Sequence, residues 1–368
     1  MKKNIKVLHV LGELKPSGAE SMFCVAAPFF LELGVNAEIV STGAALGSYA
    51  PQLSMAGYKL HHVPFSKSPR FFIDLYQLMR AGNYDIFHLH TERANFWIGL
   101  LALALRPTRV LQTIHSSFVF RGNLRLRRKI QRRVLRAFGL VHVAISPSVL
   151  QTELAYFGLK TRLVSNWYDS NRFVPPSALE RIQARKALGI AENETVLVSV
   201  GNCSKIKNHT ALIEAISLLP TELRPLYLHA GIEEEGSPER RLAAQLGIAE
   251  DVRFLGPVAD VRSLLYAADL FAMSSLVEGF GIAAVEALAT GLPALFTDVP
   301  GLRDFRSTYQ KLCYATPDSD GLCSALKVLL AESRDQRNAR SNDYPAISRQ
   351  TFGVESGVAG YIEIYRGH

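Results

Sequence analysis

The stretch Leu276-Val277-Glu278-Gly279-Phe280-Gly281-Ile282-Ala283-Ala284-Val285-Glu286-Ala287-Leu288-Ala289-Thr290-Gly291-Leu292-Pro293 lies between two short apolar runs, residues 270–274 and 293–297. It reads as a strand passing through a glycine turn into a helix that Gly291 and Pro293 end. The glycines let backbone N–H groups approach an anion at the positive end of that helix, so phosphate is the natural guest. Glu278 stands just before this nest, and Glu286 lies within the helix. Carboxylates accept hydrogen bonds from sugar hydroxyls. An anion nest flanked by two such acids describes a site for a sugar nucleotide.

The same strand–helix alternation extends outward along the whole chain. Strand candidates occupy 5–11, 37–41, 59–63, 86–90, 110–115, 141–146 and 162–165, with helical periodicity at 21–33, 71–81 and 95–105. A second series occupies 196–201, 225–230, 252–255, 270–274 and 293–297. Alternation of this kind means βαβ units and parallel sheets. The fold class expected is therefore α/β, with two doubly wound, Rossmann-like domains covering 1–170 and 171–351. The polar segment 165–176, ending in Pro175-Pro176, is the expected hinge. In such sheets ligands sit beyond the carboxyl ends of the strands, which places the active site in a cleft between the domains.

Composition limits the alternatives. At 368 residues, 48% hydrophobic and 20% charged, the chain suits two globular domains without extensive disorder. Its longest apolar run, 96–105, is too short for a spanning helix, and the start reads as a first strand rather than a signal peptide. Cys24, Cys203, Cys313 and Cys323 form no CxxC pair, which argues against a disulfide scaffold or Cys-rich zinc site and suits a reducing cytosol. The net charge of +8 is uneven. Residues 1–170 carry 21 Lys and Arg against 9 Asp and Glu, whereas 171–368 carry 20 against 24. The first half is thus suited to an anionic partner.

One competing reading comes from Gly279-Phe280-Gly281-Ile282-Ala283-Ala284, which fits a dinucleotide fingerprint with Asp298 as the ribose acid. That fingerprint belongs after the first strand of its domain, and this one follows about the fourth. Glu278 and Glu286, seven residues apart around Gly-Phe-Gly, instead resemble the E-x7-E motif of retaining family 4 glycosyltransferases of the GT-B fold. Further residues resemble that family in chain order. The segment Val200-Gly201-Asn202-Cys203-Ser204-Lys205-Ile206-Lys207-Asn208-His209 resembles its diphosphate-gripping loop, with Lys207 on the lysine position and Asn202 where arginine is usual. Lys205 is a candidate to compensate. Leu14-Lys15-Pro16-Ser17-Gly18-Ala19-Glu20 resembles its first glycine-rich loop, and His115 falls where the family contacts the donor sugar. Asn166-Trp167-Tyr168-Asp169 stands where Asn-Gly-Val-Asp is common.

The resemblance implies transfer of a hexosyl unit, with retention, from a nucleoside-diphosphate sugar of UDP or GDP type to a hydroxyl of a lipid-linked or polysaccharide acceptor. It implies Lys207, Glu278 and His115 as catalytic residues. Gly18, Asn202, Lys207, Glu286 and the backbone at Phe280, Gly281 and Ile282 would bind the donor, with His88 and His90 on the acceptor side. It also implies that the tail, 352–368, packs back on the N-terminal, acceptor-binding domain, leaving 171–351 for the nucleotide sugar. No Asp-x-Asp is present and no His, Asp or Glu cluster has metal-ligand spacing, so no metal and no other cofactor is expected. A sugar-nucleotide epimerase and a non-catalytic sugar-nucleotide-binding scaffold are the alternatives, Asn202 being the feature that favours the scaffold.

Residues 121–136 hold eight basic residues and no acid, with Leu126, Ile130, Val134 and Phe138 at every fourth position. Arg125, Arg127, Arg128, Lys129, Arg132 and Arg133 are expected to meet an anionic membrane surface or a diphosphate-linked lipid acceptor, which places the protein on the cytoplasmic face of a membrane. A solvated basic face whose stripe packs on the core is the alternative. Nucleic acid is not expected, because interleaved aromatics and a recognised motif are missing. Oligomeric state is not legible.

Overall fold

The structure, a computed structural model, describes residues 4–92, 94–117 and 120–367. Residues 1–3, part of the start read above as a first strand, and His368, the end of the tail expected at 352–368, lie outside them. The chain forms two compact units, one comprising Met1–Tyr168 with Gly353–His368 and the other Asp169–Phe352.

The described residues of the first unit include seven strands: β1 (Ile5–Leu11), β2 (Val35–Ser41), β3 (Lys59–His62), β4 (Ile86–Leu89), β5 (Arg109–Ile114), β6 (Val141–Ala144) and β7 (Arg162–Leu163). All pair in parallel, in the order β3-β2-β1-β4-β5-β6-β7. Strand alternation sorts the core into two layers. Leu8 and Val10 pack with Phe71, Leu75, Ile98 and Leu135, whereas Leu11 and Ile39 pack with Phe23, Leu53 and Tyr58. The last helix, Val354–Arg366, belongs to this unit and lies against the helix Gly18–Glu32.

The second unit repeats the plan with β8 (Val196–Val200), β9 (Leu226–Ala230), β10 (Val252–Phe254), β11 (Leu270–Met273), β12 (Ala294–Thr297) and β13 (Cys313–Ala315), ordered β10-β9-β8-β11-β12-β13. Its core joins Leu197, Leu270, Ala272 and Leu295 to Leu212, Ile216, Leu322 and Leu326. β13 escapes the sequence reading because three residues at a sheet edge are too few to display a period of two. Several strands end sooner than their apolar runs do. β4 stops at Leu89 and β5 at Ile114, which leaves His90 and His115 on the loops beyond the carboxyl ends.

The second unit's strand order changes direction at β8 and β11, and the loops leaving these two strands carry Lys207 and Glu278. In the first unit the corresponding loops follow β1, β4 and β5 and carry Gly18, His90 and His115. In each unit these candidate residues lie where ligands of open α/β sheets bind.

Candidate active site

In the second unit the loops after β8 and β11 are stitched together by their backbones. Leu276 N–H donates to Ile206 O at 2.7 Å, and Ser274 Oγ donates to Lys207 O at 3.0 Å. Asn208, at φ +56°, starts the helix His209–Ser217, and its amide donates to Ser274 O at 3.2 Å and Pro317 O at 2.9 Å. One side chain thereby ties together the ends of β8, β11 and β13, a role its sequence neighbourhood does not reveal. On this frame Lys207 Nζ donates to Glu278 Oε1 at 2.5 Å, and Ser275 Oγ donates to the same oxygen at 2.8 Å. Both charged groups are largely covered. A methyl on Gly301, at φ +88°, would fall 2.4 Å from Glu278 O, so only glycine permits this approach.

Gly281 adopts φ +88° and opens the helix Ile282–Ala289. The first N–H groups of an α-helix have no intrahelical partner and point along the positive end of its dipole. Phe280 offers this nest only its backbone, since its ring is buried against Phe305 and Phe352. Glu286 sits half-buried within the helix, and burial pushes its carboxyl up to about 8, Arg172 opposing and Asp169 and Asp260 reinforcing the shift. A protonated carboxyl can both donate to and accept from a vicinal diol.

Asn202 is no substitute cation. Its Oδ1 accepts from Ile232 N–H at 3.0 Å, which fastens the loop after β8 to the loop after β9. Lys205 is exposed. Among the described residues of these loops, Lys207 is the cation held against Glu278.

In the first unit Gly18 is exposed and begins a helix capped by Ser17, whose Oγ accepts from Ala19 N–H at 3.1 Å. His115 is half-buried at the end of β5. His88 does not line an acceptor surface. It is 1% exposed, with Nδ1 2.7 Å from the Tyr365 hydroxyl and Nε2 2.7 Å from Thr113 Oγ1. His90 is likewise committed, its Nε2 3.1 Å from His9 Nδ1 and its Nδ1 3.1 Å from His115 Nε2. Of the two residues expected on the acceptor side, His88 is thus enclosed, whereas His90 is half-buried with both ring nitrogens held by other histidines. Linear spacing also concealed that His9, His88 and His90 offer ligand atoms within 4.8 Å of one another. Parallel register brings them together, with His9 level with His88 and His90 two residues further along.

The basic segment forms the helix Gly122–Ala137, and its six expected contact residues divide. Arg132 is 4% exposed and pairs with buried Glu153 at 2.6 Å. Arg128 donates to Asn95 Oδ1 at 3.0 Å and to Glu92 O at 3.4 Å. These two arginines are structural and drop out of the expected surface patch. Arg125, Arg127 and Arg133 remain exposed, with Lys129 half-buried. The apolar stripe does not pack on the core: Leu126 is 59% exposed and Ile130 54%, while Leu135 is buried. No helix among the described residues is long and apolar enough to cross a membrane.

Trp167 explains the departure from Asn-Gly-Val-Asp. Its ring is buried, Nε1 donates to Met22 O at 3.1 Å, and a methyl on Gly357 would lie 2.1 Å from it. A large residue on the connecting segment is matched by a missing side chain on the last helix.

Two parallel α/β units, with their functional loops at the strand ends, define the GT-B architecture. The structure of Anabaena Alr3699/HepE in complex with UDP and glucose superposes with a TM-score of 0.83 at 21% identity, covering 99% of this chain and 100% of that one. Family models agree by segment: residues 16–172 match Glycosyltransferase Family 4 and residues 180–344 match Glycosyl transferases group 1. A D-inositol 3-phosphate glycosyltransferase of Corynebacterium urealyticum is 27% identical over 77% of this chain and 72% of its own length. A UDP-Gal:alpha-D-GlcNAc-diphosphoundecaprenol alpha-1,3-galactosyltransferase of Escherichia coli is 25% identical over 78% and 79% respectively. The chain is a glycosyltransferase of GT-B type.

Proposed function

We propose that this glycosyltransferase moves a hexosyl unit, with retention, from a UDP or GDP sugar to a hydroxyl of a lipid-linked or polysaccharide acceptor. The observation that carries the reading is the Lys207–Glu278 pair set beside the N-terminus of the helix Ile282–Ala289. Lys207 and the first helical N–H groups neutralise the diphosphate as it leaves, a preorganised electrostatic role that requires no metal. Glu278 orients the donor sugar, Glu286 takes the ribose hydroxyls, and His115 contacts the transferred sugar. In the front-face course, the bond from the anomeric carbon to the diphosphate oxygen breaks as the bond to the acceptor oxygen forms. The acceptor proton passes to the leaving phosphate oxygen. The diphosphate carried by the Escherichia coli relative's acceptor, and the UDP in the Anabaena complex, support the substrate classes.

The exposed Leu126 and Ile130, on the same helix as the exposed Arg127 and Arg133, support docking on an anionic membrane surface, where a lipid-linked acceptor resides.

Release of free nucleoside diphosphate from a panel of UDP and GDP sugars tests the reading. Wild-type protein should hydrolyse one donor slowly, with unchanged rate in EDTA, and Glu278→Gln should lower kcat by about 10²–10³-fold. NMR of the first-formed sugar or glycoside should show the donor's anomeric configuration. Tight donor binding with no release from any donor would favour a scaffold instead.

A further inference from the structure

Three imidazoles in the first unit form a hydrogen-bonded chain that ends at His115. His9 Nδ1 meets His90 Nε2 at 3.1 Å, and His90 Nδ1 meets His115 Nε2 at 3.1 Å. Burial pushes His115 down to about 4 and His9 to about 3, and holds His90 well below the ordinary histidine range, so all three rings are neutral near pH 7. A neutral imidazole has one N–H and one lone pair. The chain can therefore be ordered in only two ways.

In one order every N–H points outward: His9 Nδ1–H donates to His90, and His90 Nδ1–H donates to His115 Nε2. His115 then carries its own proton on Nδ1, and His9 Nε2 is a bare lone pair. The reverse order leaves His9 with an Nε2–H. His9 is 1% exposed, lies against Phe23 and Phe30, and its Nε2 finds no partner among the described residues. Orphaned buried N–H groups are rarer than under-satisfied acceptors, which selects the outward order. The inner end is closed, so the chain offers a proton no exit and cannot serve as a conduit.

A second layer fixes the first. The His88 ring centre lies 4.0 Å from that of His90, tilted by 40°, and its nitrogens are held by the Tyr365 and Thr113 hydroxyls, Thr113 in turn meeting the Tyr361 hydroxyl at 2.8 Å. The last helix thus reaches the site through two tyrosines.

We infer that His9 and His90 are positioning residues that lock His115 as its Nδ1–H tautomer, so that His115 meets an oxygen of the bound sugar as a neutral hydrogen-bond donor rather than as a base. Its catalytic consequence rests on the transferase reading; the tautomer itself does not.

The tautomer is read on the full chain, without substrate, from two-bond proton–nitrogen correlations of ¹⁵N-labelled imidazoles. Wild-type His115 should show Nδ1–H. In His90→Ala it should become a mixture or invert, and His90→Asn, whose amide N–H lies near the lost Nδ1, should restore it. Should His90→Ala not fold, His9→Leu removes the inner donor while filling an apolar site and should give the same loss of a single tautomer. Donor hydrolysis by His90→Ala should lose about tenfold in kcat, the value of one hydrogen bond, with the donor KM within about twofold. His115 observed as Nε2–H, a tautomer unmoved by either variant, or a stoichiometric divalent metal on His9, His88 and His90 would each overturn the assignment. If wild-type protein releases nucleoside diphosphate from no donor while the tautomers behave as stated, the transferase reading has failed and the tautomer lock has not.

Discussion

Glu286 illustrates how far a single residue's environment departs from its place in a motif. Its carboxyl is raised from the usual 4.5 to about 8, burial being the largest cause. An acid whose pKa rises on folding favours the native state only while it is protonated. That contribution is complete below about pH 4.5 and is lost as pH climbs through 8. Glu286→Gln removes the dependence. Against wild type, the variant should gain nothing at pH 5 and about 1–2 kcal/mol by pH 8.5, discounted for partial exposure; paired urea titrations at the two pH values measure it. Equal gaps at both would show that the carboxyl is ionised throughout. The seven-residue spacing of Glu278 and Glu286 was legible in the sequence, but nothing there indicates that one is paired with Lys207 while the other has no ion pair among the described residues. Asn202 shows the same limit, since its partner, the Ile232 amide, lies on a different βα loop.

The helix Gly122–Ala137 buries Arg132 and Leu135 and leaves Leu126, Arg127, Ile130 and Arg133 exposed. Arg132, buried against Glu153 and 4.2 Å from the centre of the Phe157 ring, ties the helix to the segment Glu153–Phe157. Burial already pushes the Glu153 carboxyl up to about 7 against the pull of Arg132, so Arg132→Ala leaves a buried, protonated carboxyl without its partner and should cost about 1–3 kcal/mol. Arg127→Glu with Arg133→Glu, on the exposed face, should change stability by less than about 0.5 kcal/mol. The same pair should weaken sedimentation with vesicles containing anionic lipid, and Leu126→Ser should add to the loss. Unchanged vesicle binding both in the charge-reversed pair and in its combination with Leu126→Ser would end the docking proposal. A run of eight basic residues identifies the helix in the sequence, yet identical side chains at 127, 128, 132 and 133 give no means of telling ion-pair partners from surface. The exposed stripe has the same origin: periodicity shows that Leu126 and Ile130 share a face, and tertiary packing decides that the core takes Leu135 instead.

Across the whole molecule, histidine burial is uneven and sets how each unit meets acid. His9, His88, His90, His115 and His142 of the first unit, and His209 and His229 of the second, all have their pKa lowered, with burial the largest cause. A histidine depressed on folding contributes its full stability above about pH 6.5, the unfolded value, and loses it as pH falls, because the unfolded chain binds protons that the native state refuses. For one ring held near 3, the loss between pH 6.5 and pH 5 is about 2 kcal/mol. The described residues of the first unit include five histidines lowered by burial, three of them in one hydrogen-bonded chain, so it should be the acid-labile half. Both tryptophans, Trp97 and Trp167, lie in that unit, which makes intrinsic fluorescence its private reporter. The urea midpoint read by tryptophan should therefore fall steeply from pH 7 to pH 5. A signal from the second unit, such as binding of UDP or GDP near Lys207, should shift much less over the same range. Equal shifts in both signals would mean that the two units unfold as one and that histidine placement does not govern the molecule's acid tolerance.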